Sequence, residues 1–117
     1  MRRAFVAVAA SLAAMLAAAS AEDEDRLARY GRHLSQECAS CHRMDGVANG
    51  IPSIVGRPQD EFIATMQLYR NGSRTNPVMV SVANSLTDEQ LTALAVYFAS
   101  MPKAANKGLG AANRAPQ

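Results

Sequence analysis

The chain has 117 residues, a formal net charge of +2, no Trp and only two cysteines. That length allows one domain, and two cysteines so close in sequence cannot staple distant parts of it. Lys and Arg number 12 against 10 Asp and Glu; Arg2 and Arg3 account for the difference, so the rest of the chain is balanced and offers no basic field for nucleic acid. Aromatic residues make up 5%, and a small chain so poor in large side chains is expected to draw stability from a cofactor.

Residues 1–21 read as a secretory signal peptide. Arg2 and Arg3 give a positive start, Phe5 to Ala19 is an apolar run, and Ala19-Ser20-Ala21 is a small-x-small cleavage site. A retained membrane anchor is the competing reading, but the run falls short of the ~20 apolar residues a spanning helix needs, and the acidic block Glu22 to Asp25 follows directly. Cleavage after Ala21 and a periplasmic location are therefore expected, with no membrane span left in the mature chain.

The first helix is expected from about Asp23 to Glu37, with Leu27, Tyr30, Gly31 and Leu34 on one face. Gly31 on that face would let another helix approach closely. The stretch from Cys41 to Pro58 holds Gly46, Asn49-Gly50, Pro52 and Gly56 and reads as loop. A second helix starts after Pro58, with Asp60 and Glu61 in its first turn, and stops at Asn71-Gly72. Ser73 to Leu86, carrying Pro77 and Met79, reads as a second loop. Thr87-Asp88-Glu89-Gln90 is a capping box opening the last helix, whose buried face is Leu91, Leu94, Ala95 and Phe98 and whose end is marked by Pro102. The domain is thus expected over 22–102, with 103–117 as a flexible tail. The fold class is all-α: about three main helices, with long loops of the kind that wrap a large flat cofactor.

Cys38-Ala39-Ser40-Cys41-His42 is Cys-x-x-Cys-His, the attachment signature of c-type haem. Two thiols at this spacing add to the two vinyl groups on one porphyrin edge, and the next residue's imidazole then reaches the iron. A thioredoxin-like pair would need a strand-to-helix context. A zinc site would need four ligands, and besides this motif only His33 and carboxylates remain. One covalent haem c is therefore expected, with His42 as iron ligand and Cys38 and Cys41 as its anchors. For the sixth position, Met44 is too near His42, Met66 lies mid-helix as core filler, and Met101 ends the last helix. Met79 is the candidate, against the alternative that it packs on the haem edge. A Met opposite a His closes the iron and suits electron transfer rather than gas binding or peroxide chemistry.

At these residues the chain resembles the class I monohaem cytochromes c. The resemblance rests on Gly31-Arg32-His33-Leu34, Gly50-Ile51-Pro52-Ser53-Ile54, the Met79 segment, and Leu86 to Leu91 leading to Tyr97-Phe98. It implies that the first and last helices cross at Gly31, Leu34, Leu94 and Phe98, and that Pro52 offers its carbonyl to the ligand imidazole. Arg57 and Arg74 are candidate partners for the haem propionates, and Tyr69 for a bond near Met79. From Gly50 to Met101 the chain is most similar to the cytochrome subunits of flavocytochrome c sulfide dehydrogenases, although Arg43 stands where many relatives carry Gly. The resemblance implies an electron carrier with no catalytic residue of its own, acting as the haem subunit of a flavoprotein dehydrogenase or as a free shuttle between other redox partners. A haem enzyme or gas sensor with an open sixth position is the reading from another class.

Overall fold

The computed structural model describes residues 2–103, with side chains from Leu12 onward. Four helices follow one another: α1 (Arg2–Cys38), α2 (Gln59–Arg70), α3 (Pro77–Ser85) and α4 (Asp88–Ser100), and no strand occurs among the described residues. The expected tail falls almost wholly on 104–117, outside the described residues.

Two expectations are corrected. The first helix begins at Arg2 rather than near Asp23, because Ala-rich sequence favours helix and nothing between Ala19 and Asp25 breaks one. From Leu12 to Arg26 it nevertheless packs on little: Leu12, Met15 and Leu16 are exposed, and burial starts around Leu27. The second correction is the segment read as a loop over Ser73 to Leu86, most of which is helix α3. Asn76 is its N-cap, accepting a hydrogen bond from the Met79 N–H at 3.1 Å, and Pro77 follows in the first turn. Proline is favoured there because its missing N–H would have had no helical partner.

The core lies where α1, α2 and α4 meet. Phe98, Leu91 and Leu94 of α4 are fully buried, joined by Phe62 and Met66 of α2 and by Ala83 of α3. The Phe62 and Phe98 rings are 5.6 Å apart and tilted, an arrangement that adds a small favourable quadrupole contribution. Met66 is the core filler that the sequence indicated. The close crossing of first and last helices is present: a Cβ built on Gly31 would stand 2.0 Å from the Ala93 carbonyl oxygen and 2.7 Å from the Tyr97 Cβ. The Tyr30 hydroxyl accepts from the Gln90 side-chain amide at 3.3 Å beside that crossing.

Both predicted caps are formed. The Thr87 hydroxyl accepts from the Gln90 N–H at 3.2 Å while the Gln90 side chain accepts from the Thr87 N–H at 2.9 Å. Helix α2 carries Asp60 and Glu61 in its first turn and stops at Asn71, where Gly72 turns the chain with φ 82°. The loop between α1 and α2 is fastened to α4 by the Gly56 N–H, which donates to the Phe98 carbonyl at 2.8 Å, and by the buried Val55.

Candidate functional site

Cys38 is the last residue of α1, and the chain then tightens into a turn around it. The Cys38 carbonyl accepts from the Cys41 N–H at 3.2 Å and from the His42 N–H at 2.9 Å. The helix end thus folds both thiols and the imidazole into five consecutive residues whose backbone is tied to one carbonyl. Ser40 reinforces the turn by donating from its hydroxyl to the Glu37 carbonyl at 2.6 Å. Neither thiol is in a disulfide; Cys41 is exposed and Cys38 is half-buried. Burial pushes the Cys38 thiol pKa up, with the Glu37 carboxylate adding to the effect.

His42 is buried, with 8% of its surface exposed. Its Nδ1 lies 2.7 Å from the Pro52 carbonyl oxygen. A carbonyl can only accept, so Nδ1 is the donor in this bond and Nε2 is the nitrogen left for a metal. No hydrogen bond among the described residues engages Nε2. A metal-binding imidazole is held in this way: one nitrogen oriented by a backbone acceptor, the other left as donor to a metal. The donor set fits a covalent haem, with two unpaired thiols separated by two residues, one at the surface, and an oriented imidazole directly after them.

The other predicted residues stand further out. Met79 lies in the first turn of α3, partly buried against the core cluster that Cys38, Met44 and Ile54 also border. Arg57 is half-buried, and its Nε donates to the Ser53 carbonyl at 3.1 Å, which braces the Pro52 loop. Its remaining N–H groups have no hydrogen bond among the described residues. Arg74 is exposed; its guanidinium lies 5.3 Å from the centre of the Tyr69 ring, a cation–π contact. His33 is exposed on α1, as its place off the apolar face indicated.

Three features were not read from the sequence. Arg43 pairs with Asp45 just after the His42 turn, with Nε 3.1 Å from both carboxylate oxygens, and the Val47 N–H donates to Asp45 Oδ1 at 3.0 Å. The Arg43 bond is the main reason the exposed Asp45 carboxyl sits at about 2. Asn76 caps α3, a signal present in the Asn-Pro pair. Arg70 reaches from the end of α2 to the end of α3: its Nε donates to the Ala83 carbonyl at 2.8 Å, and a terminal nitrogen donates to the Leu86 carbonyl. The other terminal nitrogen pairs with Asp88 Oδ1 at 2.6 Å. No sequence pattern shows these contacts, because they depend on how α2 and α3 pack.

Residues 25–98 match the family described as "Cytochrome C oxidase, cbb3-type, subunit III", a cytochrome c domain. The chain belongs to the cytochrome c family. The cytochrome is 41% identical over 75 residues to the "Cytochrome subunit of sulfide dehydrogenase" of Chlorobaculum tepidum, covering 62% of this chain and 67% of that one. It is 30% identical over 100 residues to the "Thiosulfate dehydrogenase electron acceptor" of Stutzerimonas stutzeri, covering 80% of this chain and 46% of that one. It is 32% identical over 71 residues to "Cytochrome c-553" of Helicobacter pylori, covering 58% and 74% respectively. The chain thus spans two thirds of the first relative but under half of the second. As a cytochrome c it binds a covalent haem c with iron and carries electrons. Among the described residues no helix is long and apolar enough to cross a membrane.

Proposed function

We propose that this cytochrome is a periplasmic one-electron carrier serving as the haem subunit of a flavoprotein sulfide dehydrogenase. In this reading Cys38 and Cys41 carry the haem, His42 ligates the iron through Nε2, and Met79 takes the sixth position. The bound haem iron supplies the one-electron couple. The chain's residues hold its environment constant: the Pro52 carbonyl keeps the imidazole in one orientation and tautomer, the paired thiols fix the ring, and a thioether ligand keeps the sixth position closed to other molecules. Arg57 and Arg74 are the proposed propionate partners; the Arg57 N–H groups left over from its bond to Ser53 favour that role more than Arg74, whose guanidinium lies over Tyr69.

The observation that carries the reading is the bond from His42 Nδ1 to the Pro52 carbonyl beside two unpaired thiols. The similarity to a cytochrome subunit of sulfide dehydrogenase supports the choice of partner. Export with cleavage after Ala21 is supported by the exposed Leu12, Met15 and Leu16, whose removal takes nothing from the core, and by a family match that begins at residue 25. A free-standing shuttle is the second reading, favoured by the 74% coverage of a cytochrome c-553. The test is gentle purification of the tagged protein from its native periplasm, followed by its visible spectrum. Flavin absorption in fixed ratio to the haem bands is the expected result. Met-ligated c-type haem alone would transfer the conclusion to the shuttle.

A further inference from the structure

We propose that Arg70 is the positioning residue for Met79, holding helix α3 from its far end so that the methionine sulfur stays on the iron. This rests on the reading of Met79 as the sixth ligand. Helix α3 has nine residues, about 13 Å of rigid rod. Among the helices it packs on α2. Every residue from Asn71 to Val78 is exposed, so the chain leading into Met79 gives the helix little anchorage. Its firm attachment lies one turn further on, at Ala83. Met79 and Ala83 are four residues apart and therefore share a face, and Ala83 is completely buried.

Arg70 acts on that anchored end. The Ala83 and Leu86 carbonyls to which it donates lie in the last turn of α3 and at its C-cap, where helix carbonyls lack partners and the dipole is negative. Helix α3 has no basic residue in its own last turn, so the neighbouring helix supplies the positive charge. The third contact, to Asp88 in the first turn of α4, ties the same guanidinium to the frame. The Arg70 side chain is only 19% exposed, so solvent screens these bonds weakly, and bonds to a charged donor are the stronger kind. A planar fork with donors on three nitrogens suits three acceptors in different directions; a lysine has one nitrogen to offer. Asp88 is 87% exposed and its pair contributes little, so the two carbonyl bonds carry the effect.

The experiment measures binding of imidazole to the oxidised holoprotein, because an outside ligand enters only when the sulfur leaves. The proteins are wild type, Met79→Ala, Arg70→Leu, Arg70→Lys, Asp88→Asn and the double variant Arg70→Leu/Met79→Ala. Arg70→Leu is expected to bind imidazole at least tenfold more tightly than wild type, a change of about 1.4 kcal/mol. Arg70→Lys should be intermediate and Asp88→Asn within about twofold of wild type. Met79→Ala should bind tightly, and adding Arg70→Leu to it should change nothing, because the sulfur that Arg70 positions is gone. If Met79→Ala binds no better than wild type, Met79 is not the ligand and the underlying reading fails. If Met79→Ala binds tightly while both Arg70 variants match wild type, the ligand stands and the positioning role is overturned. An equal gain from Arg70→Leu with and without Met79 also overturns it, since Arg70 would then act on the haem pocket at large. Arg70→Lys keeps the charge and decides the question should Arg70→Leu fail to fold.

Discussion

Replacing Gly31 by Ala tests the helix crossing on which the fold is built. The added methyl would lie 2.0 Å from the Ala93 carbonyl oxygen and 2.6 Å from its carbon. Ordinary contacts would require α1 and α4 to part by about 1 Å, and close-packed interiors do not yield that distance without losing contacts elsewhere. Overpacking of this kind costs ~1–3 kcal/mol. Two features put Gly31→Ala at or above the top of that range: the obstructing atoms are backbone, and Tyr97 Cβ closes the other side at 2.7 Å. Alanine regains about 1 kcal/mol of helix propensity, leaving a net loss of roughly 2 kcal/mol. For a domain of this size that lowers Tm by about 8–16 °C. The assay is thermal unfolding of the holoprotein followed by circular dichroism. Ala93→Gly added to Gly31→Ala should not restore stability, because the clash is with the carbonyl and not with a side chain. A Gly31→Ala protein as stable as wild type would refute the crossing geometry.

Asn76→Ala removes the cap of α3 and is expected to cost ~0.5–2 kcal/mol, read as a lower denaturation midpoint at unchanged slope. Asp45, whose carboxyl sits at about 2 against an ordinary 3.8, favours the folded state above its unfolded pKa; that contribution disappears as pH falls through about 2. Arg43→Gln should raise the Asp45 pKa toward the ordinary value in an NMR titration, and an unmoved carboxyl would show that another group holds it down. Cys38→Ala combined with Cys41→Ala should leave a chain without covalent haem, seen as loss of the haem-stained band in denaturing electrophoresis.

Much of this architecture is written locally, and those parts could be read. The Thr87 and Gln90 box needs only neighbouring residues, as does the start of α2 after Pro58. Gly31 marks the crossing because an apolar helix face rarely carries a glycine without a close neighbour, and the Pro52 carbonyl lies on His42 as the family resemblance implied. Helix α3 was missed because Pro77, following the Asn71-Gly72 stop of α2, suggests a loop. A capping Asn and packing on α2 outweigh that preference. Arg70 was not legible at all: its acceptors lie 13 to 18 residues away and become partners only after the helices have docked.

The most direct test of the His/Met-ligated carrier is the reduction potential of the purified holoprotein, with and without Met79→Ala, together with the spectrum of the oxidised form. A thioether opposite an imidazole favours the reduced iron, so wild type should show the sulfur-to-iron charge-transfer band, and Met79→Ala should lose that band and fall in potential. An unchanged band and potential in Met79→Ala would contradict the assignment and return the sixth position to another ligand.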